Sequence, residues 1–167
     1  LALKKIEHIL FTSTLLVGAM LILTGTVLWI SRNFYKDSTG GRPQKVTLKQ
    51  AGIVGVVQGC AVIPGISRSG STIAAGMFCG MDRARAAKFS FLLSIPAIIG
   101  AEILGIKEMI ETGTRLDAAT LLATLVAFVS GLIALKVLIR LVHSGKFHYF
   151  APYCWLLGLV MIILNLS

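Results

Sequence analysis

Four stretches of this chain are apolar for long enough to cross a lipid bilayer, and no other feature limits its fold as strongly. They run over about residues 6–30, 86–106, 118–139 and 150–166. Hydrocarbon offers no water to backbone N–H and C=O groups, so such runs must make their hydrogen bonds internally, as helices. Composition agrees: 56% of the 167 residues are hydrophobic and 14% charged, with a mean hydropathy of +0.86. A soluble domain carries roughly a quarter charged residues. The deficit excludes a soluble enzyme, a disordered tail and a nucleic-acid-binding domain. The length suits one unit, so residues 1–167 are read as a single all-α, polytopic membrane domain.

The net charge of +9 needs its own reading, because a basic protein can signal nucleic acid. Fifteen of the sixteen basic residues lie in polar connections, at segment ends or near the N-terminus. Connections 31–49, 82–88 and 136–148 are basic, whereas 107–117 has acidic excess. Basic connections face the cytoplasm, so the first span runs outside to inside and the 107–117 loop faces outside. Tyr149, Tyr153 and Trp155 are expected as interface anchors. Cys60, Cys79 and Cys154 have no metal-binding spacing and read as small buried hydrophobes. The chain begins at Leu1, and its first apolar run is too long for a signal peptide. It is therefore read as part of a longer protein.

Two further apolar pieces, Gln50 to Ile63 and Ser71 to Met81, are too short to span. The topology closes only if residues 50–81 form a re-entrant hairpin that enters and leaves on the cytoplasmic side. The break between them, expected over Pro64 to Gly70, reads Pro-Gly-Ile-Ser-Arg-Ser-Gly and continues as Ser71-Thr72. Irregular backbone at membrane depth is tolerated where it is buried in protein or lines a polar cavity. In membrane proteins such breaks mark binding sites.

Arg68 is the basic residue that falls inside an apolar stretch. An arginine at that depth costs at least a few kcal/mol, so it needs a partner. Ser67, Ser69, Ser71 and Thr72 surround it with hydroxyls, and Gly65 and Gly70 let backbone N–H groups approach a ligand. The following helix, expected from about Gly70 or Ser71, points unpaired N–H groups at the break. Guanidinium, hydroxyls and a helix N-terminus make an anion cradle suited to phosphate or diphosphate.

Blander readings compete. Arg68 could pair with an acid elsewhere in the fold. Gln58 either reaches the site or bonds a neighbouring helix. Gly55/Gly59 and Gly76/Gly80 have small-xxx-small spacing and are expected to pack helices, as are Ser90, Ser94 and Ser130. Asp82 is expected to cap the helix carrying Arg83 and Arg85, and Glu102 to snorkel. His8, His143 and His148 are expected at the interfaces.

Residues 64–72 fit the pattern PGxSRSxxT at all six of its fixed positions. Gln58-Gly59 precede this motif, and residues 89–96, Phe-Ser-Phe-Leu-Leu-Ser-Ile-Pro, follow it. On these residues the chain resembles the bacterial undecaprenyl pyrophosphate phosphatases, or bacitracin-resistance proteins, over its whole length. The resemblance implies an integral enzyme of the bacterial plasma membrane that removes one phosphate from undecaprenyl diphosphate, recycling the lipid carrier of wall polymers. It implies a fold of two inverted repeats, this chain being the second, and a divalent metal, magnesium or calcium. It implies a site open to the outer side, in which Arg68 binds the diphosphate and Ser67, Ser69 and Thr72 line it. A polyprenyl diphosphate lipid and the bilayer are the expected partners, nucleic acid is not, and a homodimer is entertained.

The chain departs from the family in lacking its first signature, (E/Q)xxxE with a nearby histidine. None of the seven acids, Glu7, Asp37, Asp82, Glu102, Glu108, Glu111 and Asp117, pairs at i, i+4. Metal ligands and the catalytic base are therefore expected outside this chain, which alone should be inactive or nearly so. Whether Ser67, Ser69 or a water is the nucleophile stays open, with water preferred. The alternative is a lipid-phosphate carrier or flippase that hydrolyses nothing; a second anion loop without acids would favour it, an upstream acid pair the enzyme.

Overall fold

Side-chain caps start most of the helices. In the computed structural model, which describes residues 13–34, 45–113 and 117–166, the Ser13 hydroxyl accepts the Leu16 N–H and opens α1, Thr14–Ser31. Thr47 and Gln50 form a reciprocal capping box that opens α2, Leu48–Cys60. Ser67 caps α3, Arg68–Phe78, and Asp82 caps α4, Arg83–Thr112. Asp117 caps α5, Ala118–His143, and a short 3-10 turn, Lys146–Tyr149, leads into α6, Phe150–Leu166. The described residues contain no strand. Among the described residues four helices are long and apolar enough to cross a membrane, so the chain is an all-α polytopic membrane protein.

Among the spanning helices, two ends differ from expectation. Residues 107–112 continue α4 rather than forming a loop, because no breaker occurs until Gly113, which ends the helix at φ 66°. Helix α5 likewise runs on through Arg140 to His143.

Helices α1 and α6 pack antiparallel along small residues seven apart, Gly18 and Gly25 on one, Ala151 and Gly158 on the other. A Cβ at Gly18 would lie 2.9 Å from the Gly158 carbonyl, and one at Gly25 would lie 2.6 Å from Trp155. Close backbone approach of this kind is how helices associate in lipid. Trp155 is part of the seam rather than an interface anchor: its ring packs on Trp29 and its indole N–H donates to Thr26 at 3.3 Å. Tyr149 and Tyr153 do project outward, 63% and 64% exposed.

The glycines expected to pack helices divide. Gly76 meets Ala86, but none of the described residues faces Gly55, Gly59 or Gly80, and Gly80 is a turn residue at φ 83°. Ser90 is buried as expected; Ser130 is exposed on α5 and bonds only within its own helix. Cys154 is buried, Cys79 half-buried and Cys60 exposed, which corrects the expectation for Cys60.

Helices α2 and α3 pair side by side, with 13 and 11 residues. The Gln50 amide donates to the Cys79 carbonyl at 3.0 Å, joining the start of α2 to the end of α3. Phe34 and Phe78 stack edge-on at 4.7 Å, so this open end lies beside the C-terminal end of α1. The turn between the two helices lies against the N-terminal half of α1, where a Cβ on Gly65 would come within 2.5 Å of the Val17 carbonyl. Fourteen residues of α1 separate Val17 from Ser31, about 20 Å of rise. The pair therefore reaches well along a spanning helix and returns to the end it left.

The same end gathers the basic connections. Arg32 stacks on Trp29 at 3.9 Å, Trp29 meets His148, and the Arg83 guanidinium covers Gly145. Asp82 accepts the Arg85 N–H at 2.9 Å and pairs with its guanidinium at 2.7 Å. His8, Lys36, Asp37 and Arg115 lie outside the described residues, as does the side chain of His143.

Candidate functional site

Residues 61–67 form the break, and α3 starts at Arg68, two residues before the earliest expected position. Ser67 causes this. Its hydroxyl accepts the Gly70 N–H at 3.1 Å and its carbonyl accepts the Ser71 N–H at 2.9 Å, so the serine is the N-cap and Arg68 the first helical residue. The amides of Arg68 and Ser69 have no hydrogen-bond partner among the described residues. Helix dipole and N–H groups thus point out of the break beside an exposed guanidinium and the half-buried Ser69. No acid pairs with Arg68 among the described residues.

The other motif residues divide by what they touch. Thr72 is 1% exposed; its hydroxyl donates to the Arg68 carbonyl at 2.8 Å and meets the Ser90 hydroxyl of α4. It therefore locks α3 to α4 instead of facing the opening. Gly65 and Gly70 also have packing reasons to be glycine. Gly65 has φ 92° and lies on the α1 backbone, and a Cβ on Gly70 would strike the Ser67 hydroxyl at 2.8 Å. Ser71 faces an apolar cavity of about 240 Å³ shared with Cys60, Ile66 and Phe78.

Gln58 bonds a neighbouring helix, its amide donating to the Leu93 carbonyl of α4 at 3.2 Å. Leu93 lies next to Leu92, whose carbonyl has lost its helical donor to Pro96. The amide oxygen of Gln58 is buried without a partner among the described residues. Thr24, in the middle of α1, was missed by sequence reasoning although it touches the break directly. Its hydroxyl donates to the Gly65 carbonyl at 3.1 Å and accepts the Ser67 N–H at 3.2 Å. No local signal marks a contact made across more than forty residues.

A family profile described as "Bacitracin resistance protein BacA" matches residues 1–160. The chain belongs to that family. It is 52% identical over 98% of its length to a Desulforapulum autotrophicum protein named "Undecaprenyl-diphosphatase", and 56% identical over 95% to one of the same name from Desulfosudis oleivorans. It spans 58% and 57% of those relatives, respectively. A Methanothermobacter thermautotrophicus protein, also named "Undecaprenyl-diphosphatase", is 44% identical and is covered over 88% of its own length.

In this BacA-family chain none of the acids among the described residues pairs with Arg68. Asp82 is tied to Arg85, Glu111 approaches Lys107 at 3.7 Å, Asp117 caps α5, and Glu102 is exposed on α4. Among the described residues no three His, Cys, Asp or Glu side chains come together to hold a metal. The donors among the described residues do not fit a divalent ion.

Proposed function

We propose that this chain carries the diphosphate grip of an undecaprenyl-diphosphatase. The enzyme would convert undecaprenyl diphosphate and water to undecaprenyl phosphate and inorganic phosphate, recycling the lipid carrier of wall synthesis. One observation supports this most: an exposed arginine and two amides with no partner among the described residues open at the N-terminus of a helix that starts beside the middle of an apolar span. Arg68 neutralises the diphosphate, whose oxygens also accept from the Arg68 and Ser69 amides and the Ser69 hydroxyl. Ser67 holds the helix start in place, Thr72 fixes its first turn, and Gln58 ties α2 to α4. Ser71 meets the first part of the tail, which lies between the helices and the bilayer.

Water oxygen attacks the terminal phosphorus. The anhydride P–O bond breaks and its electron pair passes to the oxygen that stays with undecaprenyl phosphate. The base that takes the water proton, and the ligands of a magnesium or calcium ion, belong to residues outside those described. The protein works in a bacterial plasma membrane, with its basic end cytoplasmic and the grip opening to the other side; a homodimer is its assembly.

The test is phosphate release from undecaprenyl diphosphate by the full-length protein in detergent, with magnesium, with chelator, and beside Arg68→Ala. Metal-dependent release that falls roughly 100- to 1,000-fold in the variant is expected. A protein that binds the lipid but releases nothing would instead be a lipid-phosphate carrier.

A further inference from the structure

Threonine hydroxyls in helices usually bond back to the carbonyl four residues earlier. Thr26 does so to Ile22 at 2.9 Å, and Thr124 to Thr120 at 2.9 Å. Thr24 has the same helical setting and a different partner. Its hydroxyl leaves α1 and bridges two backbone groups of the break, donating to the Gly65 carbonyl and accepting from the Ser67 N–H. Thr24 is 2% exposed, so its hydroxyl has no water to turn to, and losing it would leave the half-buried Gly65 carbonyl and Ser67 N–H without this partner.

The bridged groups flank Ile66 and end on the N-cap itself. Ser67 sets the start of α3, so the bridge decides where the Arg68 and Ser69 amides point. The bridging site is also rigid. Gly25, the next residue, is pressed against Trp155 and Ala151 of α6, while Val17 and Met20 of α1 press on Gly65. Helix α1 is thus clamped from one side by α6 and holds the break from the other.

We infer that Thr24 is a positioning residue, whose hydroxyl aims the amide donors of the α3 N-terminus at the phosphate group of the substrate. This rests on the proposed diphosphate-binding reading of the same loop. The bridge uses one oxygen as donor and acceptor together, so serine can replace threonine and valine, its near-isostere, cannot.

The test uses full-length protein in detergent with Thr24→Val and Thr24→Ser. Binding of undecaprenyl diphosphate is followed by thermal shift, and kcat and KM by phosphate release. Misaimed donors should weaken Thr24→Val about 10- to 100-fold in kcat/KM and in lipid affinity. Thr24→Ser should stay within about threefold of the parent, because it keeps the bridge. The affinity measurement needs no turnover, so it reads the positioning role even if the protein proves to be a carrier. A folded Thr24→Val that binds and turns over like the parent overturns the inference. If Thr24→Val does not fold, Thr24→Ser decides: a folded serine variant as weak as Arg68→Ala would show that the methyl contact, not the hydroxyl, matters.

Discussion

The break and the α4–α5 arm are built from similar apolar sequence and are held in opposite ways. The break is fastened by long-range polar contacts, Thr24 to Gly65 and Ser67, Gln58 to Leu93, and Thr72 to Ser90. Beyond Leu93, the side-chain hydrogen bonds described for the arm stay within about a turn, as Thr124's does to Thr120. Of the apolar window of α5, 0% is buried within the chain, against 28% for α1. An apolar helix surface facing lipid needs no protein partner, because lipid tails solvate it as well as leucine would. Irregular backbone at the same depth has no such freedom, since each of its N–H and C=O groups must be bonded or offered to a ligand. The difference locates function: order is concentrated where a polar group has to be kept in an apolar place.

The largest effect should come from Gly65→Val. A side chain there faces both φ 92° and a carbonyl at 2.5 Å. The backbone strain alone costs about 1–3 kcal/mol, and crowding against α1 adds a similar amount. Thermal unfolding in detergent should drop markedly; an unchanged midpoint would mean that the break does not lie on α1. A matched pair then sharpens the contrast. Thr72→Val should cost about 1–3 kcal/mol by stranding the buried Ser90 hydroxyl, whereas Thr124→Val on the arm should stay within about 0.5 kcal/mol. Equal costs would show that the arm is packed against protein in the full-length molecule.

The smallest effect concerns the arm's outer corner. The Thr120 hydroxyl, and then its backbone N–H, donate to Asp117 and hold that carboxyl below its ordinary 3.8. A lowered native value stabilises the fold above the unfolded value and loses that contribution as pH falls through the native one. The first turn of α5 should therefore fray on acidification below about pH 3.8, seen as faster amide exchange at residues 118–121. Asp117→Asn should remove the pH dependence while keeping an acceptor at the cap.

Much of this was legible in sequence because hydropathy alone specifies spans. The last run, Phe150 to Leu166, matches α6 end to end, and Asp82 caps α4 as its position suggested. The break's existence was visible in Pro64, Gly65 and the short flanking runs. Its end was set too late because Gly70 looked like the stop, whereas the N-cap preference of Ser67 already marked Arg68 as helical. Gly55 and Gly59 were over-read from spacing, which recurs by chance in glycine-rich helices. The seam glycines Gly18, Gly25 and Gly158 carried a seven-residue spacing that could have revealed them. Thr24 carried none, since its partners lie more than forty residues away.

Side-specific labelling of Ser69→Cys, in full-length protein lacking Cys60, Cys79 and Cys154, tests the central claim most directly. A membrane-impermeant maleimide should react from the side opposite the basic connections, and undecaprenyl diphosphate should block it. Reaction from the basic side, or labelling that the lipid leaves unchanged, would contradict a diphosphate grip held at membrane depth by Arg68 and the start of α3.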